Sequence, residues 1–355
     1  MAIAWKIRAP KIGRRLNSLS ARLILAAAIW TVLGLLIGGV ALSNIFRASV
    51  EDNFDATLEN DLDGLMWESE RQGPLNNVLG AQFNRFNGRA AINCFCDYCN
   101  RKATLQGINV ARAREGYLGL EAWVKDTFNQ PRANDGAFTT FWRLLLEYPE
   151  ILTWQRLWFA AQEEVYGLLY GTVKENNPRA RVGWHIMHVV TMSPFFRADQ
   201  NYARLAHVAD FLKPCTYNNC AGPRLAQYIR NVQTTFFRDL SPEETLALHY
   251  KLLGLEGEPT LDKLPTTGLS SNSVAAETKR AIADVAGAIP IYPGIDIDIP
   301  TAPNEKHTQP ADVKGAVIAA FKAGAPGVVL SRKYAEMKMA NLSAAGEALR
   351  ELGIS

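Results

Sequence analysis

The pattern of apolar and polar positions divides the chain into an uncharged block, a mixed junction and a long region of alternating period. From Leu23 to Phe46 no residue is charged and most are apolar. At about 1.5 Å rise per residue, a helix of that length crosses a hydrocarbon core about 30 Å thick, so the pattern predicts a transmembrane helix over 23–46. A cleaved secretory signal is the alternative, although its apolar stretch is shorter, about 7–15 residues. Residues 67–90 mix Gly, Pro and Asn without a sustained period and read as a linker. Beyond them, Leu157, Ala161, Val165, Leu168 and Val173 recur at helical spacing over 151–175, and Asn176, Asn177 and Pro178 end the run.

Four runs then read as strands: RVGWHIMHVV (181–190), ADFLKPCTYNN (209–219), AIPIYPGIDI (288–297) and PGVVLSR (326–332). Helical stretches come after them at 199–207, 224–237, 273–285, Pro310 to Gly324, and 334–352, with an insert at 239–272. The helix from Pro310 places Val313, Val317, Ala320 and Phe321 together, with proline at its start and glycine at its end. Strands each succeeded by a helix predict a parallel sheet with right-handed crossovers. The expected fold class is α/β, a partial (β/α) TIM-barrel-like body with an N-terminal transmembrane helix. The expected domains are a basic tail (1–22), the span (23–46), a juxtamembrane segment and linker (47–90), and an incomplete barrel (91–355). No comparable strand is expected before residue 90. Half a barrel leaves an open apolar edge, which predicts self-association through the open sheet.

Charge sharpens the topology. The net charge is +3, yet the first 22 residues carry Lys6, Arg8, Lys11, Arg14, Arg15 and Arg22 and no acid, so the remainder is net acidic. Basic residues before the span and an acidic run after it predict a bacterial inner-membrane, single-pass protein, its amino terminus cytoplasmic and its body extracytoplasmic, with the lipid bilayer as a partner. The acidic body gives no electrostatic motive for binding nucleic acid.

Residues 14–65, RRLNSLSARLILAAAIWTVLGLLIGGVALSNIFRASVEDNFDATLENDLDGL, resemble the first membrane helix and sensor start of bacterial sensor histidine kinases. The resemblance implies an anchor. The rest of the sequence has no phosphoacceptor histidine with an adjacent acid and no Gly-rich nucleotide lid, so neither kinase chemistry nor a nucleotide cofactor is expected.

Cys94, Cys96 and Cys99 form C-F-C-D-Y-C, three sulfurs in one tight turn. That spacing suits a structural tetrahedral zinc ion if Cys215 or Cys220 supplies a fourth ligand. A disulfide, or plain reduced thiols, would use the same residues. The C-x-C-x-x-C spacing, with LTWQRLWFAAQEEVYGLLYGTVKENNPRARVGWHI, IYPGIDIDIP and DVKGAVIAAFKAGAPGVVLSRKYAEMKMANLSAAGEAL, resembles family 42 β-galactosidases and related (β/α)8 glycoside-hydrolase-like proteins over residues 90–352. The resemblance implies that the chain corresponds to the carboxyl-terminal half of such a barrel, with carbohydrate as its partner. It also implies a glutamate general acid at the end of the strand before the cysteine loop, yet the window 84–93 contains no carboxylate.

Barrel enzymes collect their chemistry at the carboxyl ends of the strands. The ends here offer His185 and His188; Lys213, Cys215, Tyr217 and Asn218; Asp296 and Asp298 after Tyr292; and Arg332, Tyr334 and Glu336. Glycosidases need two carboxyl groups, about 5–5.5 Å apart when retaining and about 6.5–9.5 Å when inverting. Asp296 or Asp298 with Glu336 is the expected catalytic pair, while loop capping or pairing with Arg332 is an equal use for the aspartates. Trp184, His185, His188, Tyr217, Asn218, Tyr292, Arg332 and Tyr334 are the expected substrate-binding residues. The function expected is a carbohydrate-directed, glycoside-hydrolase-like protein. A non-enzymatic carbohydrate receptor, or a truncated or fused gene product, is the alternative.

Overall fold

In the computed structural model, which describes residues 63–68, 72–89, 94–128, 134–332 and 334–354, each of the four apolar runs supplies a strand shorter than the run itself. These are β2 (Arg181–Ile186), β3 (Phe211–Pro214), β4 (Gly294–Asp296) and β5 (Val329–Ser331). A fifth strand, β1 (Gly64–Trp67), precedes them and pairs in parallel with β2, Gly64 opposite Arg181 and Trp67 opposite Trp184. This corrects the expectation that no strand lies before residue 90. Only four residues long and placed between an acidic run and a Gly/Pro/Asn-rich stretch, GLMW carries no periodicity that a sequence window detects.

Every pairing is parallel: β2 with β3, β4 with β5, and the bridges Leu212 to Ile291 and Cys215 to Gly294 join the two ladders. Spatial order therefore equals chain order, β1-β2-β3-β4-β5. A singly wound parallel sheet is the winding of a (β/α) barrel, whereas doubly wound folds reverse direction at an internal strand.

The crossover from β1 to β2 is long and helical: α1 (Pro74–Val78), α2 (Asp97–Leu105), α3 (Val110–Thr127), α4 (Ala137–Glu147) and α5 (Glu150–Asn176). Between β2 and β3 lie three short helices, α6 (His188–Met192), α7 (Pro194–Asp199) and α8 (Tyr202–Leu205). The crossover from β3 to β4 holds α9 (Asn218–Gln233), α10 (Pro242–Leu253), α11 (Leu264–Thr267) and α12 (Ser271–Val285), so the expected insert folds as α10 and α11. Helices α13 (Pro310–Lys322) and α14 (Met339–Glu351) come after β4 and β5 respectively.

Helix α13 buries the expected face, Val313, Val317 and Ala320, against Ile295 of β4, Ile297 just beyond it, and Ala344, Ala345 and Ala348 of α14. Helix α5 does so in part: Leu157 and Val173 are buried as expected, but Val165 and Leu168 are exposed, and Ile151, Trp154, Phe159 and Tyr166 complete the buried apolar face. Aromatic rings decide its rotation: Tyr166 stacks on Trp184 of β2 at 4.5 Å, and Trp67 of β1 meets both rings edge-on.

No helix among the described residues is long and apolar enough to cross a membrane, so the expected bacterial inner-membrane, single-pass placement is not retained. The stretch 23–46 and the kinase-like resemblance up to residue 62 lie outside the described residues, which all belong to the unit Asp63–Ser355.

Candidate functional site

The carboxyl ends of the strands open into a cleft of about 600 Å³, within the range of small-molecule sites. Its lining includes Glu68 immediately after β1, His185 of β2, His188 at the start of α6, Cys215 and Tyr217 after β3, and Arg224 of α9. Phe83, Met187, Val189, Ile299 and Arg332 complete the apolar and cationic part of the wall.

His185 is the hub. Its Nε2 lies 2.9 Å from Glu68 Oε2 and 3.0 Å from Cys215 Sγ, and its Nδ1 lies 2.9 Å from Lys213 Nζ. The Glu68 side chain is only 7% exposed. An imidazole held by groups at both nitrogens is fixed in orientation, so His185 can pass a proton between Lys213 and Glu68 without turning. Behind it, Lys213 donates to the Tyr217 hydroxyl and lies over the Tyr217 ring. His188 is buried and its Nδ1 lies 2.9 Å from Arg224 Nη1. Burial and the neighbouring Arg224 cation hold His188 well below the usual imidazole range, so it is neutral at pH 7 and accepts from Arg224.

The expected catalytic carboxylates are placed differently. Asp296 is fully buried; its Oδ2 accepts from the Cys220 backbone N–H at 2.9 Å, and its Oδ1 from Thr308 Oγ1 at 3.0 Å and the Ile299 N–H at 3.1 Å. Asp298 accepts from the Lys338 N–H at 2.9 Å and Asn341 Nδ2 at 3.0 Å, which caps α14. Glu336 pairs with Arg332 one turn away and is exposed. Of the two uses expected for the aspartates, the hydrogen bonds of both are those of capping, and none of the three carboxylates is among the residues lining the cleft.

Of the expected binding residues, His185, His188, Tyr217 and Arg332 line the cleft. Trp184 does not; it is fully buried, stacked on Tyr166, with Nε1 donating to the Val208 carbonyl. Tyr292 sits at the opposite, amino-terminal end of the strands, its hydroxyl 3.2 Å from the Arg181 guanidinium that begins β2. Asn218 is buried beneath the cleft and donates to the Leu269 carbonyl. The side chain of Tyr334 lies outside the described residues.

Glu68, Lys213 and Arg224 are the residues that sequence patterning undervalued. Glu68 falls in the stretch read as a linker. Lys213 was legible as the lone charge inside the apolar core of a strand, FLKP.

Cys94, Cys96 and Cys99 bring their sulfurs within 4.8 Å of one another, Cys94 and Cys99 3.9 Å apart. Tetrahedral zinc with Zn–S bonds of about 2.3 Å requires sulfurs about 3.8 Å apart, so the three thiols fit one face of such a site. The backbone N–H of Cys99 at the start of α2, then the Cys94 thiol, lower Cys96 to about 7, whereas burial raises Cys99 to about 12. No fourth Cys, His, Asp or Glu joins the group among the described residues. Cys215 and Cys220, expected as fourth ligands, are buried beside His185 and His188 instead. All five cysteines are free.

No family model matches the chain, and no curated protein matches it. Solved structures similar to it include bee venom hyaluronidase in a monoclinic crystal, at 12% identity over 73% of this chain and 67% of that chain, TM-score 0.30. Bee venom hyaluronidase in complex with a hyaluronic acid tetramer is similar at 11% identity over 74% of this chain and 68% of that one, TM-score 0.29. At such identity and TM-score, the barrel winding is read from the chain's own strand order.

Proposed function

We propose that the chain is a carbohydrate-directed, glycoside-hydrolase-like barrel protein that binds a saccharide in the cleft at the carboxyl ends of β1–β5, with Glu68 as its acid–base group. The observation that carries this reading is Glu68 itself. It is a largely buried carboxylate at the end of β1, paired with His185 and lining the cleft, a strand-end position of the kind where barrel enzymes collect their chemistry. Phe83 and Tyr217 offer ring faces, and Gln82, Asn84 and Arg224 offer donors, the combination that holds a sugar ring.

The test uses the full chain with a panel of oligosaccharides and aryl glycosides. Saccharide binding with turnover that disappears in Glu68→Gln, while binding persists, is the expected result. Absence of saccharide binding overturns the reading. A second reading, a non-enzymatic carbohydrate receptor, is favoured by one observation: Glu68 is the single carboxylate lining the cleft among the described residues, where hydrolysis employs two. Binding without turnover would select it.

The cysteine loop is proposed as a structural zinc site, because its sulfur spacing fits the ion. Metal analysis should find zinc bound to the full chain and lost when Cys94, Cys96 or Cys99 is replaced singly by serine. Equal metal content in all three variants would reject the site.

A further inference from the structure

Arg197, Arg280 and Arg332 are mostly covered guanidiniums, and each keeps a carboxylate: the first two share Glu277, and the third pairs with Glu336. Such pairing is the rule, because drawing a cation out of water without a counter-charge is costly. Arg224 of α9 departs from it. Half-buried in the cleft wall, it makes no ion pair among the described residues. Glu68, the single carboxylate lining the cleft among those residues, is paired with His185.

What Arg224 does touch carries no negative charge. Its Nη1 lies 2.9 Å from His188 Nδ1, a contact that uses one of the five N–H groups of a guanidinium. Its central carbon lies 5.6 Å from the centre of the Phe83 ring, and Phe83 meets His188 edge-on at 5.8 Å. His188, buried and neutral, and Phe83 therefore hold the guanidinium in place while leaving its charge unbalanced. The Tyr217 ring packs on His188 as well, at 5.3 Å. A fixed guanidinium flanked by aromatic rings, opening on a cleft of about 600 Å³, matches a ligand with an apolar ring face and a carboxylate at its edge.

We propose that the saccharide bound in this cleft is acidic, a uronic acid or a chain containing one, and that Arg224 is the specificity-determining residue that receives its carboxylate. The assignment rests on the saccharide reading and adds the charge of the sugar to it. One unpaired guanidinium balances one negative charge, and its planar fork fits the two oxygens of a carboxylate. His188 and Phe83 act through Arg224, as positioning residues.

The test measures binding to the full chain by titration calorimetry. It sets para-nitrophenyl glucuronide against the glucoside, para-nitrophenyl galacturonide against the galactoside, and the corresponding acidic and neutral oligosaccharides against each other. The acidic member of at least one pair should bind about tenfold tighter or more. Arg224→Gln should reduce that advantage to about twofold or less while the neutral sugar keeps its affinity. Neutral sugars binding as well as acidic ones overturns the proposal and leaves the saccharide reading standing, whereas no binding by either kind overturns both. An acidic advantage that survives intact in Arg224→Gln overturns the role of Arg224. Arg224→Lys, which keeps the charge without the fork, should retain only part of the advantage and stands in if the glutamine variant does not fold; a full advantage there overturns the carboxylate clamp. A sulfate ester of the glucoside that binds as tightly as the glucuronide overturns the choice of carboxylate.

Discussion

The β1–β3 side of the strand rim and the β4–β5 side hold comparable polar groups with opposite fates. On the first side, Glu68, His185, Cys215 and Tyr217 touch one another and face the cleft. On the second, Asp296 and Asp298 are as polar and as close to their strand, yet their oxygens accept from the backbone of Cys220, Ile299 and Lys338. The difference lies in the backbone leaving each strand. After β4 the chain turns back through Ile299 and Thr308, and the unpaired N–H groups of that turn and of α14 require acceptors. After β3, Thr216 and Asn218 likewise turn to backbone carbonyls, whereas Cys215 and Tyr217 bond to the side chains of His185 and Lys213 and line the cleft. A carboxylate at a strand end thus informs on chemistry only once its lone pairs have been counted.

Replacement of Asp296 gives the largest effect. Asp296→Ala should leave the Cys220 N–H and Thr308 hydroxyl buried without partners and cost about 3 kcal/mol in denaturant unfolding. A loss below about 1 kcal/mol would return Asp296 to candidacy for chemistry.

Asp199 sharpens the comparison, since among the described residues its hydrogen-bond donors are the neutral amides of Asn76 and Gln155, each at 2.9 Å. Burial raises it to about 6. Between about pH 4 and pH 6 the folded state then holds more protons than the unfolded one, so stability falls as pH rises through that window and levels off above it. The fall should be on the order of 2 kcal/mol and should flatten in Asp199→Asn, read from urea unfolding at stepped pH.

Asp298 separates capping from backbone strain. Its φ of 131° is one that side chains other than glycine rarely adopt. Both Asp298→Ala and Asp298→Gly lose the contacts to Lys338 and Asn341, but glycine relieves the backbone, so it should melt about 1 kcal/mol less destabilised than alanine. Equal melting would place the whole role in capping.

The cysteine loop gives the smallest effect, a labelling rate. In chain stripped of metal with a chelator, iodoacetamide at neutral pH should modify Cys96 before Cys99, because the first is lowered to about 7 and the second raised to about 12. The reverse order would contradict the hydrogen bond from the Cys99 N–H to the Cys96 sulfur.

The sequence by itself determined the local elements: four parallel strand cores, the Pro-started helix over Pro310–Lys322 and the tight cysteine turn. Each depends on residues within a few positions of one another, through side-chain period, a ring-fixed φ or a short spacing. Only the tertiary structure decided that GLMW is a strand, because its ladder partner lies at Arg181–Trp184, far along the chain. Likewise, whether Glu68 or Asp296 faces a ligand depended on donors brought from distant segments, 76 residues away for the Cys220 N–H on Asp296. Hydrogen-bond satisfaction is a property of the folded neighbourhood, and the carboxylate itself looks the same in the sequence whichever partners it finds.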